Sequence, residues 1–125
     1  ESSDIEVIIT ANNFGIALRH AGRGDEQKRL MDSTIPNARK SLGDDHELTL
    51  SCRQNYAAAV LYAEGNVSRS DFLQATKILE DVQKRCRRVL GPKHRVTLAV
   101  QKDLNYARQW QENYLKEMAR MNLGV

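Results

Sequence analysis

The apolar positions along the chain recur at helical spacing. Val7, Ala11, Phe14, Leu18 and Ala21 step by 4, 3, 4 and 3, which sets them on one face of a helix that stops at Gly22-Arg23-Gly24. Cys52, Tyr56, Ala59 and Ala63 do the same before Gly65, and Phe72, Ala75, Leu79, Val82, Cys86 and Val89 before Gly91-Pro92. Gly enters the left-handed conformation at a helix end without steric cost, so these marks read as turns between helices. The apolar-polar alternation of a half-buried strand is missing from the sequence, and the predicted fold is all-α.

Two segments are less regular. The stretch from Asp25 to Leu42 has Pro36 inside it, which removes the bond to the Asp32 carbonyl and predicts a kink or break near Thr34–Pro36. The last stretch keeps Val100, Leu104, Ala107, Trp110, Tyr114, Met118 and Met121 on one stripe with no Gly between them. It reads as one long helix of about 40 Å over residues 94 to 121. A turn at Asn113, which tolerates the left-handed conformation, is the alternative.

The helices repeat as pairs. Leu42-Gly43-Asp44-Asp45-His46-Glu47-Leu48-Thr49-Leu50 is echoed 48 residues later by Leu90-Gly91-Pro92-Lys93-His94-Arg95-Val96-Thr97-Leu98. Asn13-Phe14-Gly15-Ile16-Ala17-Leu18 is echoed 42 residues later by Asn55-Tyr56-Ala57-Ala58-Ala59-Val60. The period is therefore 42, with six extra residues in the turn-rich stretch Gly65–Asp71. A fixed period of this size marks a solenoid of helix-turn-helix units. We expect one right-handed helical-repeat domain over 1–125, with units at about 5–42 and 43–90 and a partial third unit or capping helix at 91–125. A unit of this kind cannot bury its face alone, and at least three are normally needed. The chain also lacks an initiator Met. It is expected to be a piece of a longer protein that packs on neighbours.

Composition narrows the function classes. A length of 125 residues is one domain's worth, and 41% apolar with 28% charged residues fits a globular helical chain. Lys and Arg number 19 against 16 Asp and Glu, a net +3 far from the charge density of a nucleic-acid arm. Cys52 and Cys86 form neither a zinc element nor a disulfide framework and read as reduced, buried thiols. No apolar run reaches the roughly 18–20 residues of a membrane span, and the start lacks signal-peptide order. The expected location is intracellular, cytoplasmic by default, with organellar import left open by the missing start.

Little in the sequence suggests catalysis. There is no nucleophile elbow, no Gly-rich phosphate loop and no isolated carboxylate pair, so we expect no enzyme activity, no cofactor and no small-molecule substrate. His46 and His94 recur at equivalent positions without Cys, Asp or Glu at ligand spacing. They read as structural residues at the starts of first helices rather than a metal pair, and His20 as solvated. Asp44 and Asp45 read as caps of the following helix, with Glu47 completing the pattern. Asn66-Val67-Ser68 matches a glycosylation acceptor, read as a chance match. Lys84, Arg85, Arg87, Arg88, Lys93 and Arg95 form the densest basic stretch. Without interleaved aromatics it reads as a solvated helix face, with nucleic acid disfavoured.

At the two echoed segments the sequence resembles the tetratricopeptide repeats of the kinesin light chain type. That family carries Leu-Gly-Pro-x-His-Pro-x-Thr-Leu between 42-residue units, Asn-x-x-Ala-x-x-Leu in each first helix and a Gly-x-Tyr turn. Leu90–Leu98 matches the inter-unit segment with Arg95 at one Pro position, and Leu42–Leu50 matches it with Asp44 and Glu47 at both. Phe72 falls where the turn aromatic belongs, whereas Gly24 takes its place in the first unit. Pro36 and the lengthened turn at Asn66–Asp71 are further departures.

The resemblance implies a non-catalytic interaction module whose first helices line a concave groove for a partner peptide. One-repeat spacing puts Asn13 and Asn55 at the same point on successive first helices, and an Asn side chain can pair with an extended backbone. The expected groove residues are Asn13, Arg19, Asn55, Tyr62, Lys102 and Asn105. Asn105 repeats the Asn-Tyr-Ala of Asn55 but is shifted in frame, where Asp103 is the equivalent. A rival reading makes the chain a structural subunit of a large assembly, joined through a C-terminal interface at Trp110, Tyr114, Met118 and Met121. A basic RNA-binding repeat is the third. The expected partner is a protein or peptide, with the chain part of a larger complex.

Overall fold

The computed structural model describes residues 2–65 and 67–122. Five helices follow one another: α1 Ser2–His20, α2 Gly24–Leu42, α3 Glu47–Leu61, α4 Arg69–Val89 and α5 Arg95–Asn122. No strand occurs among the described residues, and the all-α expectation holds. The first pair turns at Gly22, whose φ of +77° is left-handed, a conformation in which a side chain would be strained.

Of the expected kink or break, the break does not occur, and α2 continues through Pro36 from Gly24 to Leu42. Pro36 and Asp32 both lie on the exposed side of the helix. The carbonyl freed by the missing N–H there faces water, which satisfies it, so the lost bond does not end the helix. The long last helix is observed as α5, 28 residues or about 42 Å, unbroken through Asn113.

The starts of α3 and α5 are capped by the repeating histidines, not by Asp44 and Asp45. His46 Nδ1 accepts from the Leu48 N–H at 3.0 Å, and His94 Nδ1 from the Val96 N–H at 3.1 Å. Each imidazole thus satisfies a backbone donor that the helix leaves unpaired. The two aspartates are occupied elsewhere. Asp44 accepts from Arg39 at 2.8 Å, and Asp45 from Arg85 at 2.9 Å and Arg88 at 2.8 Å. These bonds hold both carboxyls below the usual carboxylate range. Ser68 caps α4 by accepting from the Asp71 N–H. Its sequence neighbour Asn66, the acceptor residue of the glycosylation motif, lies outside the described residues.

The stacking is regular. Within pairs α1 packs on α2 and α3 on α4; between pairs α2 packs on α3 and α4 on α5; and the first helices touch one another as α1 on α3 and α3 on α5. The backbones of the second helices α2 and α4 stay apart, with a groove between them over Tyr56. First helices therefore form an inner layer that second helices cover from outside, as in a helical-repeat solenoid. The main core gathers Leu50, Phe72, Leu79, Val82, Val100 and Leu104 from α3, α4 and α5, and a smaller one gathers Ile8, Met31, Ala38 and Cys52 from α1, α2 and α3.

The buried face of α1 matches the expected one at Leu18 but not at Val7, Phe14 and Ala21, which are exposed. Ile8, Asn12, Gly15 and Leu18 point inward, whereas Val7 is 59% and Phe14 56% exposed. The repeat explains the difference. Ile8, Gly15 and Leu18 stand 42 residues before Leu50, Ala57 and Val60, all buried, while Val7 and Phe14 precede Thr49 and Tyr56, which α2 covers in the next unit. No helix of this chain takes the place of α2 against α1. Both cysteines are buried free thiols, and burial pushes Cys52 up to about 11, so neither is a ready nucleophile.

Four cations of the basic stretch are paired, Arg85 and Arg88 within the second unit and Arg87 and Arg95 across to the third. Arg53 of α3 and Arg85 of α4 both donate to Asp81, at 2.7 and 3.0 Å, while Arg85 and Arg88 reach back to Asp45 in the inter-unit turn. Arg95 lies 3.6 Å from Glu47 and Arg87 donates to Gln101.

Candidate functional site

The inner layer forms a trough of about 520 Å³ to which all three first helices contribute. α1 supplies Arg19, α3 supplies Gln54, Asn55, Ala58 and Tyr62, and α5 supplies Ala99, Lys102 and Asp103. Repeat spacing places these residues. Asn12, Gln54 and Lys102 fall at one position of the unit, and Asn13, Asn55 and Asp103 at the next, so successive helices present one residue each along the same line.

Asp103 organises the trough floor. It is buried, accepts from the Tyr62 hydroxyl at 2.8 Å through one oxygen and from Gln54 Nε2 at 2.7 Å through the other, and thereby ties α5 to α3. Tyr62 exposes its ring but turns its hydroxyl inward, and that burial, reinforced by the bond to Asp103, raises the phenol well above its usual range. It stays a neutral donor. The charged side chains of the trough are the Asp103 carboxylate on its floor, bonded by two neutral donors, and two cations, Arg19 from α1 and Lys102 from α5.

Asn55 is buried, and its Nδ2 donates to Asn12 Oδ1 at 2.9 Å, while Asn12 Nδ2 donates to Ser51 at 3.1 Å. The amide is thus spent on holding α3 to α1 and reaches the trough only as part of its lining. Asn13 is exposed and Asn105 accepts from Gln101, and neither lines the trough. Arg19, Asn55, Tyr62 and Lys102 are brought together; Asn13 and Asn105 are not. Gln54, Ala58 and Ala99 went unnoticed in the sequence, although the Asn12–Gln54–Lys102 register would have found the first of them.

The C-terminal residues are divided. Trp110 is half-buried and stacks on Phe72 with ring centroids 4.1 Å apart, and Tyr114 stacks on Trp110 at 5.4 Å beneath the Arg69 guanidinium. Beyond them Leu115, Met118 and Met121 are exposed at 54%, 38% and 65%.

A stack of antiparallel helix pairs with a trough across its first helices defines an all-α helical-repeat module. The family model described as tetratricopeptide repeat matches residues 7–47, so most of α1, with α2 and the turn that follows, is similar to a tetratricopeptide repeat. Such repeats generally mediate protein–protein interaction and are typically non-catalytic. No curated protein and no solved structure matches the chain. No helix among the described residues is long and apolar enough to cross a membrane.

Proposed function

We propose that the chain binds an extended, carboxylate-bearing segment of a partner protein in the trough across α1, α3 and α5, without catalysis. The observation that carries this reading is the convergence of Arg19 and Lys102 on one concave space whose single carboxylate, Asp103, is already bonded to Tyr62 and Gln54. Charge-assisted hydrogen bonds from two cations to a partner carboxylate are the strongest contacts such a surface offers. The tetratricopeptide class supports a protein or peptide ligand. The Leu-Gly-x-x-His-x-x-Thr-Leu segments support the kinesin light chain type within that class, and the units at about 5–42, 43–90 and 91–125 follow from it.

The test is selection of peptides from a random displayed library on the 125-residue chain, followed by affinity measurements with charge-reversed variants. Selected peptides should be acidic and should bind Arg19→Glu and Lys102→Glu at least about tenfold more weakly, as expected for lost charged hydrogen bonds. Peptides that bind both variants unchanged would refute the reading. A second reading, an assembly subunit held through the end of α5, draws on the exposure of Leu115, Met118 and Met121, since clustered apolar exposure marks interfaces.

A further inference from the structure

The two helix pairs are not equally filled. At an offset of 48 the buried residues of α2 and α4 correspond, Met31 to Leu79, Thr34 to Val82 and Ala38 to Cys86, and the same offset carries Ala59 of α3 to Ala107 of α5 and Tyr62 to Trp110. Continuing that register towards the start of the second helix sets Gly24 against Phe72. Phe72 is 1% exposed, packed against Ala107 in the main core with its ring stacked on Trp110 at 4.1 Å and an interplanar angle of 27°. The first pair has no side chain for this place.

The space remains open. A Cβ on Gly24 would meet nothing within 4 Å, and a cavity of about 130 Å³ lies there, lined by Arg19, Gly22, Gly24, Ala59 and Tyr62, with Asp25 and Glu64 at its polar side. Ala59 and Tyr62 are the residues that correspond to the Ala107 and Trp110 that hold Phe72. Gly24 sits in the first turn of α2 and is not among the left-handed glycines, so the backbone does not require glycine there. Nor is the cavity a second site unrelated to the trough, because Arg19 and Tyr62 line both.

We infer that this cavity is a socket for one aromatic side chain of the segment bound in the trough, which takes in trans the position that Phe72 takes in cis. The volume suits one ring, close to the roughly 150 Å³ that holds benzene in a fully apolar cavity, here with Arg19, Asp25 and Glu64 also on the lining, whereas drug-sized ligands need about 300 Å³ or more. The chemistry agrees as well. Tyr62, whose ring also packs on Tyr106 with centroids 4.6 Å apart, lines the cavity together with Arg19, and an aromatic lining residue beside a guanidinium favours a π face over an aliphatic side chain. The inference rests on trough binding for its biological ligand, but the socket is tested without a peptide.

The experiment is a titration of the ¹⁵N-labelled 125-residue chain with N-acetyl-phenylalaninamide, with N-acetyl-leucinamide as the aliphatic comparison, followed by two-dimensional NMR. Saturable shifts should concentrate at Gly22, Gly24, Ala59, Tyr62 and Ala63 with Kd of roughly millimolar order for the aromatic, several-fold tighter than for leucine. Gly24→Phe should abolish them and raise the melting temperature, because the new ring fills the socket from within. Gly24→Leu serves the same purpose should the larger ring not be accommodated. Shifts that persist in the filled variants, equal response to leucine, or no saturation would each overturn the inference. Acidic peptides that still bind Gly24→Phe at full strength would remove the socket while leaving trough binding intact. Loss of peptide binding in Lys102→Glu, which lines only the trough, with the capped aromatic amino acid still shifting the socket resonances of that variant, would support both.

Discussion

Asn55 donates to Asn12 Oδ1 at 2.9 Å with both residues only 5% exposed, so the residue expected at the centre of a binding ladder instead joins α3 to α1. Its counterpart one repeat earlier, Asn13, is exposed. Removing the Asn55 amide leaves a buried acceptor unpaired, which costs about 1–3 kcal/mol. Asn55→Ala should therefore lower unfolding free energy by that amount in urea titrations, and Asn13→Ala should change it by less than about 0.5 kcal/mol. Equal effects at both positions would contradict the buried bond.

A second contrast concerns the two faces of α1. Ile8 is fully buried against Met31, Ala38 and Cys52, whereas Phe14 is 56% exposed. Ile8→Ala should cost about 2–5 kcal/mol, the usual range for emptying a core site. Phe14→Ser should leave stability within about 0.5 kcal/mol, measured by the same titration. A large loss at Phe14 would mean that in solution something covers this face.

Much of this architecture is legible in the sequence because the two echoes, at 42 and 48 residues, fix the order of helices, the turns and the register between units. Which apolar stripe of α1 faces inward is not, since Val7-Ala11-Phe14 and Ile8-Gly15-Leu18 are both spaced for a helix and the choice depends on which neighbours exist. The trough is half legible for the same reason. Counting by repeats finds Lys102 and Asp103, but whether an Asn donates to a partner or to the next helix is decided by a third dimension that spacing does not contain. The histidine caps show the reverse case, in which the repeat flagged the residues and only the Nδ1 geometry revealed why they recur.

Gln27 is fully buried with neither amide atom bonded, and it lies against Gly15, where its Cγ is 3.3 Å from the place of a Cβ. Its counterpart in α4 is Ala75. An unpaired buried amide costs about 1–3 kcal/mol, so Gln27→Met, which keeps the length and removes the polar atoms, should stabilise the chain by about 1 kcal/mol or more and raise the melting temperature by several degrees. A lower melting temperature would show that water satisfies the amide.

Asp81 receives hydrogen bonds from Arg53 and Arg85, and the Arg53 bond above all holds its carboxyl below the usual range. A carboxylate whose folded-state pKa is depressed stabilises the fold above its unfolded pKa, and that contribution is lost as pH falls through the folded value. Arg53 is 10% exposed at its side chain and Asp81 42%, so solvent screens part of the interaction and about 1–2 kcal/mol is expected near neutral pH. Asp81→Asn should be destabilised by that amount at pH 7. Unfolding free energies of wild type and variant should converge as pH is lowered towards the acid end of the carboxylate range. A difference that is constant with pH would assign the loss to packing rather than charge.

The end of α5 separates the two readings of function. The main core takes α5 residues only as far as Ala107, with Trp110 packed against its edge, and the aromatic stack ends at Tyr114 beneath Arg69. The next turns carry Leu115, Met118 and Met121 with little cover. Because these side chains are exposed, the double substitution Met118→Glu and Met121→Glu should leave the melting temperature of the isolated chain within a few degrees. If the helix end is an assembly surface, two buried charges without partners would each cost several kcal/mol at the interface and should release the partner in pull-down from native extract. If the trough is the working surface, peptides selected on it should bind the double variant with unchanged affinity and lose it only in Arg19→Glu or Lys102→Glu. A partner released by the methionine substitutions and retained by the arginine and lysine ones would decide for the assembly subunit and against trough binding.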